Sequence, residues 1–182
     1  KEIDAVILSH AHIDHSGNLP NLVKQGYDNP IYVTPPTAEL ADIMLRDSGH
    51  IHQENADYIN KKKRKHGEPA VEPLYTVVDA EQVTGLFREI PYDVPFEPVC
   101  GVTAHLVDAG HILGSAAVVL DIEEHGKQTR VWFSGDIGRQ DLPLLRDPVM
   151  PKEVDVLIME CTYGDKVHRD PETAYVEFRD VV

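Results

Sequence analysis

The sequence predicts a mixed α/β fold in which short buried strands alternate with helices before giving way to a run of consecutive strands. Three observations carry this. Branched apolar runs at 3–9 (IDAVILS), 31–33 (IYV) and 154–159 (VDVLIM) have the length and composition of strands buried on both faces. The segments between them carry helix punctuation: 19–25 is stopped by Gly26, and a second helix opens at Thr34-Pro35 with Leu40, Ile43 and Met44 as its apolar stripe. Beyond Pro91 the period becomes that of strands, at 102–107, 116–122 and 128–133, the last two joined by a turn at His125-Gly126.

The remaining elements follow in order. Residues 53–65 are polar and helical in propensity, and end in the basic run Lys61-Lys62-Lys63-Arg64-Lys65. A helix is expected over 81–88 with Asp79 as its cap, and another opens near Pro171. There is no internal repeat and no low-complexity segment.

Composition narrows the function classes. The 182 residues weigh 20.4 kDa and carry 17 Lys+Arg against 31 Asp+Glu, a formal net charge of −14. With 42 % hydrophobic residues the chain is globular and not disordered. No apolar run is long enough to span a bilayer. Two cysteines, Cys100 and Cys161, exclude a disulfide-rich scaffold, so a reduced, cytoplasmic protein with buried thiols is expected. The acidic balance excludes a simple basic nucleic-acid-binding module.

The chemistry concentrates in polar loops at strand ends. His10-Ala11-His12-Ile13-Asp14-His15 follows the first buried strand and offers the nitrogen and oxygen ligands that Zn²⁺ accepts. In an extended loop His10 and His12 project to one side and can share a metal, whereas a turn can aim Asp14 and His15 at a second ion. Further ligands are expected from two other strand ends: 108–115 with His111 between glycines, and 133–138 with Asp136 between Gly135 and Gly138. A carboxylate can bridge two cations, which a single imidazole cannot. Two such ions generate hydroxide from water at neutral pH and offset charge on the oxygen under attack. No Ser-His-Asp order, P-loop or dinucleotide-binding glycine pattern competes with hydrolysis by a dinuclear centre.

At these residues the chain resembles the metallo-β-lactamase superfamily, whose signature is the HxHxDH loop with a downstream His and Asp. The finer resemblance is to its β-CASP nucleases, which process RNA. It rests on GHILGSA at 110–116, FSGDIGR at 133–139, MECTYGD at 159–165 and DSGHIHQENADYINKK at 47–62. The resemblance implies a partial four-layer αββα sandwich over 1–165, lacking strands before Lys1, with an inserted β-CASP domain starting in 166–182. It implies a first zinc on His10, His12 and His111, a second on Asp14 and His15, and Asp136 between the two. It makes Asp14, Asp136 and Glu160 the catalytic residues. The second zinc site would be incomplete, because its last His ligand falls beyond the insertion, so the chain alone is expected to be inactive. The implied partner is RNA, with single-stranded DNA and a homo-oligomer also open. The −14 charge then no longer excludes nucleic acid, since part of it is carboxylate that meets zinc.

Two other functions stay open: a glyoxalase II-like thioesterase, and a non-catalytic scaffold homologue. The basic run at 61–65 is read as a solvated helix end, with contact to RNA phosphates and a nuclear-localisation patch as alternatives. His50, His52, His66, His105, His125 and His168 lack ligand partners in sequence and are not expected to bind metal. Trp132 and Phe133 are expected in the core.

Overall fold

A computed structural model of the chain describes residues 3–167 and 170–182. It contains two sheets. The first holds three parallel strands in the order β1 (Val6–Ile7), β2 (Ile31–Val33), β3 (Phe87–Glu89). The second runs β4 (Phe96–Val99), β5 (Val102–Asp108), β6 (Ala116–Glu124), β7 (Lys127–Phe133), β8 (Val156–Ile158), antiparallel except for the last pair. The described residues also form five helices: α1 (Ile13–Ser16), α2 (Leu19–Lys24), α3 (Pro35–Lys65), α4 (Val77–Gly85) and α5 (Pro171–Val181).

Side-chain alternation arranges these into layers. Leu8, Ile31 and Val33 turn one face of the first sheet onto Leu19 of α2, Ala41 and Leu45 of α3 and Val83 of α4. Ile7, one residue out of phase with Val6 and Leu8, packs instead with Leu106, Ala116 and Val118 of the second sheet. That is why the first run is apolar on both faces. The opposite phase of β5–β7, Val107, Ala117, Val119 and Trp132, forms an outer cluster with Val154. The order is therefore helices, sheet, sheet. Among the described residues no helix packs on that outer face, so three of the four expected layers are present.

Several expectations change. Helix α3 is one uninterrupted 31-residue helix and not two segments. The chain returning after it is tied to its side: Asn60 pairs with both backbone groups of Val71 (2.8 and 2.9 Å), Gln53 accepts from the Val77 N–H, and Ser48 bonds the Tyr75 hydroxyl. Ile43 is 66 % exposed, because the buried stripe of α3 runs through Ala38, Ala41 and Leu45. Thr76, not Asp79, caps α4, and Asp79 closes a reciprocal capping box from the third helical position. The expected tail of that helix, Phe87 and Arg88, lies in strand β3, drawn into the sheet by pairing with β2. Both cysteines are exposed, Cys100 in the β4–β5 turn and Cys161 in the loop after β8. Trp132 is core, but Phe133 is 40 % exposed at the end of β7, on a stretch of the inner face that the three-stranded sheet leaves uncovered.

Candidate metal centre

Three strand ends meet at one point. The first sheet contributes the loop after β1, and the second contributes the loops after β5 and β7. Backbone hydrogen bonds tie them together: the Ala116 N–H donates to Ser9 O, the Gly138 N–H to Ala109 O, and the Ser134 N–H to Ile158 O. Helix α3 braces the arrangement from one side, since the Thr34 and Thr37 hydroxyls both donate to Gly114 O at 2.6 and 2.8 Å. Gly114 has φ +85°, and a Cβ there would come within 2.6 Å of the Thr37 nitrogen, so the approach of helix to loop requires glycine.

The result is a cluster of His10, His12, His111 and Asp136 whose donor atoms all lie within 4.8 Å of one another. His12 Nδ1 is 3.1 Å from both His10 Nε2 and His111 Nε2. Asp136 Oδ2 is 3.6 Å from His10 Nε2 and 3.4 Å from His111 Nε2. Ligand atoms at the corners of a tetrahedron with bonds of 2.0–2.1 Å stand about 3.3 Å apart. Four of the separations lie close to that edge, so the cluster has the size and the donor set of a site for a divalent cation. Three imidazole nitrogens and a carboxylate oxygen facing one point are the donor set that a zinc-type cation accepts.

Asp136 also reaches the other way. Its Oδ1 lies 3.2 Å from His15 Nε2, which is in turn 3.4 Å from Asp14 Oδ2. The one-turn helix α1 aims this pair outward, as expected of a turn following His12. Asp14 and His15 flank the four-residue cluster without joining it in a single ligand group. The other described histidines stand apart from it, and His168 lies outside the described residues.

His10 is fully buried. Its pKa is lowered from 6.5 to about 4, first by burial and then by the neighbouring His15, against the opposing pull of Asp136. The ring is thus held in the neutral form that binds a metal. Ser9 Oγ, 3.1 Å from His10 Nδ1, fixes the ring from behind. Ser115 Oγ accepts from the His111 and Ile112 N–H groups and shapes the second loop. Ser9 and Ser115 adjoin the histidine motifs and are legible there. Thr34 and Thr37 act from about eighty residues away in sequence, and nothing local marks them.

Glu160 sits beside the cluster at the end of β8. Its Oε1 accepts from the Ile137 N–H at 2.6 Å, and its own N–H donates to Ser134 Oγ. Burial raises its pKa, but hydrogen bonds from Ile137 and Thr162 and the nearby His111 outweigh burial and hold the carboxyl below its usual range. Together with His111, Asp136, Arg139 and Tyr163 it lines a cleft of about 290 Å³.

The profile of the metallo-beta-lactamase superfamily matches residues 1–173. The chain belongs to the metallo-beta-lactamase superfamily. Ribonuclease TTHA0252 of Thermus thermophilus is 32 % identical over 182 residues, which cover all of this chain and 37 % of that protein. Transcription termination factor FttA of Methanocaldococcus jannaschii is 34 % identical over 187 residues, covering all of this chain and 27 % of the factor. The chain thus spans roughly a quarter to two-fifths of the length of the curated relatives it matches. The superfamily's fold is also seen in the likeness to zinc-bound PqqB of Methylobacterium extorquens. The TM-score is 0.50 at 13 % identity, over 86 % of this chain and 45 % of that one. No helix among the described residues is long and apolar enough to cross a membrane.

Proposed function

We propose that this chain is the metal-holding part of a zinc-dependent, cytoplasmic RNA-processing nuclease of the β-CASP kind, which hydrolyses phosphodiester bonds. The observation that carries this reading is the convergence of His10, His12, His111 and Asp136, the last two of which line a cleft that also holds Arg139. Arg139 makes no ion pair among the described residues, so the cleft presents an uncommitted cation to an anionic substrate. Relatives named as a ribonuclease and a termination factor support RNA as that substrate.

His10, His12 and His111 would hold the first zinc, Asp14 and His15 the second, with one oxygen of Asp136 directed to each. Bound there, divalent ions supply Lewis acidity that activates water and offsets charge on the phosphoryl oxygens. The chain's own residues do the positioning. Ser9 sets the His10 ring, Ser115 sets the His111 loop, and Glu160 holds the backbone that follows Asp136. Asp14, His15 and Asp136 are too few to complete a second four-coordinate site. The remaining ligand would come from the rest of the full-length protein, whose β-CASP domain would begin after about residue 165, and the isolated chain would not turn over.

The test uses full-length protein of defined zinc content on 5′- and 3′-labelled RNA, single-stranded DNA and a glutathione thioester. Cleavage of RNA that falls to background in Asp136→Asn is expected. Hydrolysis of the thioester alone would replace the nuclease with a glyoxalase II-like enzyme. Retained partners with no hydrolysis of any substrate would make the protein a scaffold.

A further inference from the structure

The far end of α3 carries five consecutive cations in a chain whose net charge is −14. Because α3 is continuous to Lys65, their directions are set by helical geometry and not by a mobile loop. Two are committed locally. The Lys62 ammonium sits 4.4 Å over the Tyr58 ring, and Lys63 pairs with Glu68 at 3.7 Å. Lys61, Arg64 and Lys65 have no such use. Spaced at i, i+3 and i+4, they share one face of the helix and together line one shallow concavity. None makes an ion pair among the described residues, although the chain carries 31 carboxylates.

A helix C-terminus favours cations, but its dipole amounts to about half a charge, whereas Lys62, Lys63, Arg64 and Lys65 all stand in that last turn. Three unpaired positive groups on one face repel one another and need an external polyanion to offset them. Evenly spaced negative charge on a flexible backbone suits a concave row of flexible cations. We propose that Lys61, Arg64 and Lys65 form an exosite for the sugar–phosphate backbone of single-stranded RNA. The proposal rests on the RNA-processing reading above and adds to it a second contact, remote from the metal centre.

The fold sets the distance. Helix α3 starts where Thr34 and Thr37 touch the Gly114 loop, and 31 residues at 1.5 Å each carry its end about 45 Å away. At 3.4 Å per stacked nucleotide that separation is about 13 nucleotides. An RNA of about five nucleotides reaches only the centre, whereas one of about thirty engages both places.

The experiment compares full-length protein with a variant carrying Lys61→Gln, Arg64→Gln and Lys65→Gln. All three side chains are exposed and without partners, so the variant should keep the parent's melting temperature. Binding of the long RNA should weaken on the order of tenfold at low salt, and its log–log salt slope should fall by about 2, at about 0.7 per lost contact. The KM for long RNA should rise with kcat unchanged, and cleavage of the short RNA should be unaltered. A variant that matches the parent in slope and long-RNA affinity overturns the exosite, even if it has lost affinity for an acidic protein. Parent protein that binds long RNA with the expected slope difference but cleaves nothing refutes the nuclease reading alone. Parent protein that binds no RNA refutes both.

Discussion

Replacing Gly138 with alanine tests how the centre is held together. Gly138 follows Asp136 by two residues, and its N–H donates to Ala109 O at 2.8 Å, directly beside the loop that carries His111. A Cβ on Gly138 would overlap the Gly110 carbonyl and stand 2.6 Å from the His111 nitrogen, where ordinary contact begins at 3.4 Å. The overlap with the Gly110 carbonyl means the two loops must part by well over 1 Å, an overpacking at the upper end of about 1–3 kcal/mol. The same movement stretches His111 Nε2 and Asp136 Oδ2 from 3.4 Å to well beyond a tetrahedral edge of about 3.3 Å. A ligand displaced that far should lower zinc affinity on the order of a hundredfold. The assay is zinc titration against a chromophoric chelator, with melting temperature read in parallel. Gly85→Ala is the control, since nothing lies within 4 Å of its added methyl. Zinc affinity of Gly138→Ala within twofold of the parent would refute the claim that the loop-to-loop contact sets the ligand geometry.

Two further outcomes follow from the same structure. His10 titrates at about 4 in the folded chain against 6.5 when unfolded. Between those pH values the unfolded state binds the extra proton, so metal-free protein should lose up to about 3 kcal/mol of stability as pH falls from 6.5 to 4, and nothing above pH 7. Chemical denaturation across that range measures this, and a flat profile would show that His10 is not held neutral. Thr76→Ala removes the α4 cap and half of its box, and should shift the urea midpoint by an amount worth about 1–2 kcal/mol without changing zinc affinity. A loss of zinc affinity there would mean that α4 is coupled to the centre.

Much of the site was legible because its chemistry is local. His10, His12, Asp14 and His15 sit within six residues, and their spacing alone separates an inner pair from an outer pair. The strand-end positions of His111 and Asp136 were equally readable, since glycines next to a ligand residue mark close backbone approach. Errors gathered where a distant partner decides. Phe87–Glu89 has no strand signal strong enough to override a preceding helix, and β2 supplies the pairing that does. Ile43 fits a helical stripe as well as Ala41 does, and only the neighbouring elements select the small residue as the buried one. Glu160 illustrates the same limit: its sequence context suggests an acid at the site, while the Ile137 hydrogen bond reveals what that acid holds.

The sequence by itself singled out His10, His12, His111 and Asp136 as candidate ligands, because ligand type and spacing are properties of a few adjacent side chains. It also pointed to the mixed α/β class, because alternation and apolar runs mark strands, although the run at 154–159, expected to be buried, forms the exposed edge strand β8. Only the tertiary structure decided that three loops, carrying His10 and His12, His111, and Asp136, place four donor atoms within 4.8 Å. It alone also decided that Lys61, Arg64 and Lys65 share one face at the far end of α3 and make no ion pair among the described residues. Both depend on long-range hydrogen bonds and packing, which have no signature in any local window of the chain.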